Sequence, residues 1–228
     1  MLSNYEIKRI ARAIIGFTES NTKNKQEKQN EQSDSESTLS LDQVASGLDS
    51  IFGQILRQKS FKFVIQIPKL LQSLIALVNF RLGTHLREQM DLQRQQVRYL
   101  SRLCLKQIKR FGDEYVQSEL IRQGFGRVLS IAFCTAGGAG GEEDGEINDG
   151  LGQIYKFLRD IHEGRYDDLY PSFQPLPLLV RRTEEQIEEE GAIEEIEAQM
   201  NNKGYYGGIK YQTNEAKEVT LNHFVNWD

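Results

Sequence analysis

Apolar residues recur at helical spacing along most of this chain, and that period restricts it to packed helices. Leu41, Val44, Leu48, Ile51, Phe52 and Ile55 follow the i, i+3, i+4, i+7 rule that builds one apolar face on a helix. The same period appears in Ile7, Ile10, Ala11 and Ile14, and again in Leu151, Ile154, Phe157, Leu158 and Ile161. Convincing strand alternation is missing; the short apolar runs at 130–134 and 176–180 sit inside other patterns. Only four prolines occur in 228 residues, which suits helices rather than a Pro-punctuated loop fold.

The spacing predicts helices over 5–17, 41–55, 88–110, 147–161, 183–200 and 213–225. It predicts paired segments over 60–82, meeting near Pro68, and over 113–134, split at Gly124. Ser40 is the expected N-cap of the helix that begins at Leu41. Pro68 is expected in the first turn of its helix, where its missing N–H costs nothing. Residues 19–40 hold almost nothing apolar, so burial cannot offset their ordering entropy, and we read them as a disordered polar loop after an N-terminal helix at 1–18. The remainder, 41–228, reads as one helical domain. It is interrupted by a glycine-rich acidic insertion at 136–146 and by an irregular connector at 164–181 that holds three of the four prolines.

Charge and cysteine content narrow the function classes. The formal net charge is −5 and the pI about 5.4, so the overall basic footprint of a nucleic-acid binder is absent. Cys104 and Cys134 each lie in an apolar run and read as buried thiols. Two cysteines supply neither a disulfide framework nor a zinc site, and such usage suits a reducing, intracellular compartment, cytoplasmic or nuclear. The longest apolar run, 70–82, is broken by Gln72, Ser73, Asn79 and Arg81 and falls short of the ~18 residues that span a bilayer. Lys8, Arg9 and Arg12 near the N-terminus could belong to a transit peptide, but Glu6 interrupts the basic face and an ordinary first helix fits better.

An internal repeat is the second organising feature. Residues 119–129 (ELIRQGFGRVL) and 185–196 (EQIEEEGAIEEI) both end a helix on glycine and start the next at once. Gly124 and Gly191 are expected to take the left-handed conformation that lets the chain turn sharply there. Residues 67–74 look like the second helix of an earlier copy, with Gln66 where the glycine would be. Three later segments share a closing pattern: 99–103 (YLSRL), 157–161 (FLRDI) and 220–224 (TLNHF).

This order of helix, glycine corner, helix and closing helix resembles the armadillo repeat, over about residues 60–225. The resemblance implies an all-α, armadillo-like right-handed solenoid of about three to four degenerate repeats, related to HEAT arrays. It also implies a protein-interaction scaffold that binds its partner on a concave helical surface. In peptide-clamping armadillo proteins an Asn on the third helix holds the ligand backbone; here those positions are Arg102, Asp160 and His223, and the companion Trp is absent. Recognition by the general concave surface is therefore expected instead.

Two charged surfaces are candidates for that recognition. Arg94, Arg98, Arg102 and Lys106 repeat at helical spacing within the basic stretch 87–110 and, with Asp160 and His223, form the expected partner-binding set. Glu188, Glu189, Glu194 and Glu195 form an acidic patch for a basic partner. A nucleic-acid-binding repeat using the basic stripe, and a structural subunit of a larger complex, are the alternatives; Phe224 and Trp227 would mark the apolar patch of such a subunit. Catalytic chemistry is not expected. His85, His162 and His223 are scattered, the run 137–141 (GGAGG) lacks the Lys-Ser/Thr of a phosphate loop, and neither a cofactor nor a metal is called for. The protein partner itself is not identified by these residues.

Overall fold

A computed structural model describes residues 2–27, 39–80, 88–134, 144–202 and 204–221. Eleven α-helices run through them: α1 (Asn4–Glu27), α2 (Leu41–Leu56), α3 (Gln58–Ile65), α4 (Leu70–Val78), α5 (Glu88–Phe111), α6 (Glu114–Arg122), α7 (Phe125–Cys134), α8 (Asp144–Glu163), α9 (Pro177–Glu189), α10 (Ala192–Ala198) and α11 (Gly208–Leu221). Among the described residues the β structure is one isolated antiparallel bridge, Arg165 to Phe173. The all-α reading holds. No helix among these residues is long and apolar enough to cross a membrane.

The chain divides into two compact units, Met1–Phe111 and Gly112–Asp228. In the first, α1 packs on α2 and α4, and α5 packs on the same two helices. Ile7, Ala11 and Ile14 of α1 meet a core of Val44, Leu48, Ile51 and Ile55 from α2 and Leu70, Leu74 and Leu77 from α4. Val97, Cys104, Leu105 and Ile108 are the contribution of α5. The α2 start is sealed by a reciprocal box: Ser40 Oγ accepts the Gln43 N–H (3.2 Å) and Gln43 Oε1 accepts the Ser40 N–H (2.9 Å). That cap is the one read from the sequence.

In the second unit α8 packs against α7, α9 and α11. Phe125 and Phe157 meet edge-to-face at 5.1 Å in its core, with Leu151, Ile154, Leu158, Ile187 and Ile196 buried around them. Asp113 caps α6 by accepting the Val116 N–H at 3.1 Å. Gly124 (φ 91°) and Gly191 (φ 69°) are both left-handed, so the two glycine corners form as the sequence indicates.

Several boundaries differ from the sequence reading. Helix α1 continues to Glu27, well into the polar stretch 19–40. Thr18 just before that stretch, and Asn21 and Thr22 within it, donate to backbone carbonyls one turn back, which ties polar side chains to the helix itself. Residues 28–38 of that stretch lie outside the described residues, as do 136–143 of the glycine-rich insertion, whose last residues begin α8. Helix α9 starts at Pro177, inside the expected connector, because proline's fixed φ suits the first helical position. Pro68 precedes α4 rather than sitting in its first turn. The Leu70 N–H bonds to the Ile67 carbonyl (3.2 Å) and Lys69 takes φ 65°, so Pro68 and Lys69 form the centre of a type II turn.

Candidate functional site

The basic stripe of α5 lies at mixed depth. Arg94 is buried, its side chain only 2% exposed, and its Nη1 donates to Asp91 Oδ1 at 3.3 Å. Arg94 falls in register with Val97, Ser101, Cys104, Leu105 and Ile108, the residues that α5 turns into the core. It is not available to a partner. Arg98, Arg102 and Lys106 are half-buried, and Arg98 Nη1 donates to the Phe80 carbonyl at 3.3 Å. Lys109 is buried as well. Asp160 is half-buried on α8 in the other unit. His223, Phe224, Trp227, His85 and Arg87 lie outside the described residues, and so does the Cys134 side chain.

The acidic residues do gather at one corner. Glu188 and Glu189 end α9 and Glu194 and Glu195 begin α10, on either side of Gly191. Glu188, Glu189 and Glu194 are exposed, whereas Glu195 is half-buried and accepts from Gln199 Nε2 at 2.8 Å. Glu189 is engaged by Arg127, which also reaches Glu190 at 3.6 Å.

That arginine opens onto a feature the sequence reading did not single out. A cleft of about 420 Å³ lies between the α6–α7 corner and α9, lined by Arg122, Gln123, Gly124, Arg127, Leu178, Arg181, Arg182, Glu185, Gln186 and Glu189. Its volume falls in the range of small-ligand and peptide side-chain pockets. Four guanidinium groups face two carboxylates in that lining. Leu178, one turn before the Arg181–Arg182 pair, is 87% exposed.

One buried amide builds the scaffold of the cleft. Gln186 is buried; its Oε1 accepts the Gly126 N–H (3.0 Å) and its Nε2 donates to the Ile121 carbonyl (2.9 Å), so one amide ties α9 to both helices of the corner. Gly126 is required where the helices approach, since a Cβ there would stand 2.8 Å from Gln186 Oε1 and 3.0 Å from the Thr183 carbonyl. The arginines differ in how they are held. Arg122 grips Glu119 through both guanidinium nitrogens, at 2.9 and 2.7 Å, which holds the Glu119 carboxyl below its ordinary pKa. The Glu189 carboxylate raises the pKa of Arg127 in the same way. Arg181 makes an exposed i,i+4 pair with Glu185 at 3.3 Å. Arg182 has no ion pair among the described residues.

Elsewhere in this unit, His162 Nε2 and Glu184 Oε1 stand 3.1 Å apart between α8 and α9, both largely sheltered. Among the described residues no group of three or more His, Cys, Asp and Glu side chains is placed to hold a metal ion. The signal for the cleft was present in the sequence as an arginine on each side of Gly124 and an Arg-Arg pair in the first turns of α9. Nothing local, however, shows that those two segments meet. Compared with family models, curated proteins and solved structures, the chain matches none.

Proposed function

We propose that this chain is a protein-interaction module, armadillo-like in its second unit, that docks an acidic segment of a partner protein in the arginine-lined cleft. The observation that carries the reading is Arg182, which faces the cleft with no ion pair among the described residues, beside an almost fully exposed Leu178. A leucine held in water next to arginines is an arrangement that a peptide with carboxylates flanking an aliphatic side chain would satisfy. Arginine also presents a planar fork that matches a carboxylate in two hydrogen bonds. Guanidinium, amide and leucine groups recognise and orient, and the two carboxylates of the lining, Glu185 and Glu189, are each paired with an arginine, which favours binding at this place. The armadillo-like reading is supported by the two left-handed glycine corners, each joining consecutive helices, with α7 and α9 packed side by side.

The test is fluorescence anisotropy with a dye-labelled synthetic peptide of alternating glutamate and leucine, and a lysine–leucine peptide as control. The acidic peptide binds the full chain, weakens as salt is raised, and loses at least about tenfold in affinity in Arg182→Glu. Equal binding to Arg182→Glu, or a preference for the lysine peptide, overturns the reading.

A further inference from the structure

We infer that the exposed face of α1, from Tyr5 to Gly16, docks an acidic helix of a partner protein. The inference does not rest on the proposed docking function, whose cleft is lined by residues of the second unit.

Tyr5, Arg9, Arg12 and Gly16 follow one another at steps of four, three and four, which puts them on one face of the helix. All four are exposed, Tyr5 by 73%, because Ile7, Ala11 and Ile14 take the opposite face into the core. Lys8 borders this face, its Nζ 5.5 Å from the centre of the Phe63 ring on α3. The two carboxylates of α1 nearest these cations are committed elsewhere. Glu6, which breaks the basic run in the sequence, folds back onto the helix start: its Oε2 accepts the Ser3 N–H at 2.7 Å and the Ser3 hydroxyl at 2.8 Å. Those bonds, ahead of the charge of Arg9, hold its carboxyl below its ordinary pKa. Glu19 is engaged by Lys69 at 2.6 Å. Neither Arg9 nor Arg12 makes an ion pair among the described residues.

Gly16 indicates what the face receives. A glycine inside a helix weakens it relative to alanine, and the usual compensation is the close approach of another body. Elsewhere in this chain that body is a neighbouring helix. A Cβ on Gly47 of α2 would stand 3.3 Å from Ile10 of α1, one on Gly126 of α7 2.8 Å from Gln186 of α9, and one on Gly152 of α8 3.0 Å from Gln212 of α11. Gly53 of α2 meets nothing but is half-buried, whereas Gly16 is exposed and nothing lies within 4 Å of where its Cβ would be. The gap fits a helix laid across α1 at that point, closer than a side chain would allow. Arg12 and Arg9, one and two turns before Gly16, then select carboxylates on that helix, and Tyr5 closes the rim of the contact. Arginine and tyrosine are the residue types that most often anchor protein interfaces. A lipid surface would need an apolar face to enter it, and the apolar face of α1 is already in the core.

Fluorescence anisotropy with a dye-labelled, side-chain-stapled helix of alanine and glutamate tests this, with an alanine–lysine helix as control. The full chain carrying Arg182→Glu is titrated, so that the cleft of the second unit does not contribute. The acidic helix binds, and more weakly as salt is raised. Adding Arg9→Glu together with Arg12→Glu lowers the affinity by at least about tenfold. Adding Gly16→Leu instead also lowers it by at least about tenfold, yet moves the urea midpoint upward, because leucine favours the helix and its Cβ meets nothing in the free chain. Absence of binding at low salt, unchanged binding to the Gly16→Leu chain, or flotation with phosphatidylserine vesicles in place of peptide binding overturns the inference. Each of those results leaves the cleft reading untouched, since that reading compares wild type with Arg182→Glu.

Discussion

Arginine plays opposite parts in the two units. On α5 of the first unit the basic residue at the start of the stripe, Arg94, is buried on the face that also carries Ser101 and Cys104. In the second unit Arg122, Arg127, Arg181 and Arg182 ring an open cleft. The same side chain therefore serves packing in one place and display in the other. The difference comes from which face each helix buries, not from the arginine spacing. Recurrence at three and four residues marks a stripe, but a stripe of long amphipathic side chains can lie against a core with its stem and carry its charge to a partner inside.

That contrast can be broken most forcefully at Arg94. Arg94→Ala leaves a cavity where a buried side chain was and removes one ion partner of Asp91, whose own side chain is 32% exposed, so it costs about 3 kcal/mol in urea unfolding, most of it from the cavity. Arg94→Met fills the space with an apolar chain and stays within about 1 kcal/mol of wild type. Arg182→Glu, in contrast, changes stability by no more than about 0.5 kcal/mol while weakening binding of the acidic peptide by at least about tenfold. An Arg94→Ala protein as stable as wild type would show that Arg94 is a surface residue after all.

The second test asks whether the cleft is as tightly built as the bundle core. Gly126→Ala drives a methyl group against Gln186 and the Thr183 carbonyl. It costs about 2 kcal/mol by overpacking and also loosens the amide bridge that shapes the cleft. Loss of peptide affinity together with stability is the expected result; a variant that loses neither shows that α7 and α9 can slide apart freely.

Much of this architecture was legible from residue spacing. The apolar period located the helices, Ser40 announced its cap, and Gly124 and Gly191 announced their corners, because each of these signals is local. The extension of α1 to Glu27 was not legible, since its support comes from Thr18, Asn21 and Thr22 bonding along the helix rather than from burial. The cleft was hidden for a different reason. Arg122 and Arg127 stand some sixty residues from Arg181 and Arg182, and the Gln186 amide that joins their helices is a long-range contact of a kind that no local pattern encodes. The burial of Arg94 was not legible, because periodicity shows that a stripe exists without showing which of its residues turns into the core.

Cys104 offers a pH-dependent reading of the buried α5 face. Burial pushes its thiol up to about 12, and its Sγ lies 3.7 Å from the Leu48 carbonyl. A raised folded-state value means the native chain keeps a proton that the unfolded chain loses above the usual value of 9.0. Stability is therefore fully present below pH 9 and falls as pH climbs toward 12, by about 1.4 kcal/mol per pH unit from this group. Cys104→Ala removes that component, so the gap between wild type and variant in urea midpoints narrows or reverses above pH 9. A native chain whose Cys104 reacts with a thiol reagent as fast as free cysteine would contradict the burial directly.

The smallest effect compares the corners of the two units. Gly124 and Gly191 turn the chain at positive φ without a side chain, whereas the turn before α4 does the same with Lys69 at φ 65°. A side chain in that region strains the backbone by about 1 kcal/mol, and only the exposed ion pair to Glu19, at 2.6 Å, offsets it. Replacing Lys69 by alanine removes the pair and keeps the strain; replacing it by glycine removes both. The glycine variant is thus the more stable of the two by about 1 kcal/mol, read from urea midpoints. Gly124→Ala and Gly191→Ala move the other way by a similar amount. Should Lys69→Gly and Lys69→Ala unfold at the same midpoint, the turn before α4 is relaxed rather than strained. The first unit would then share nothing of the glycine-corner logic that organises the second.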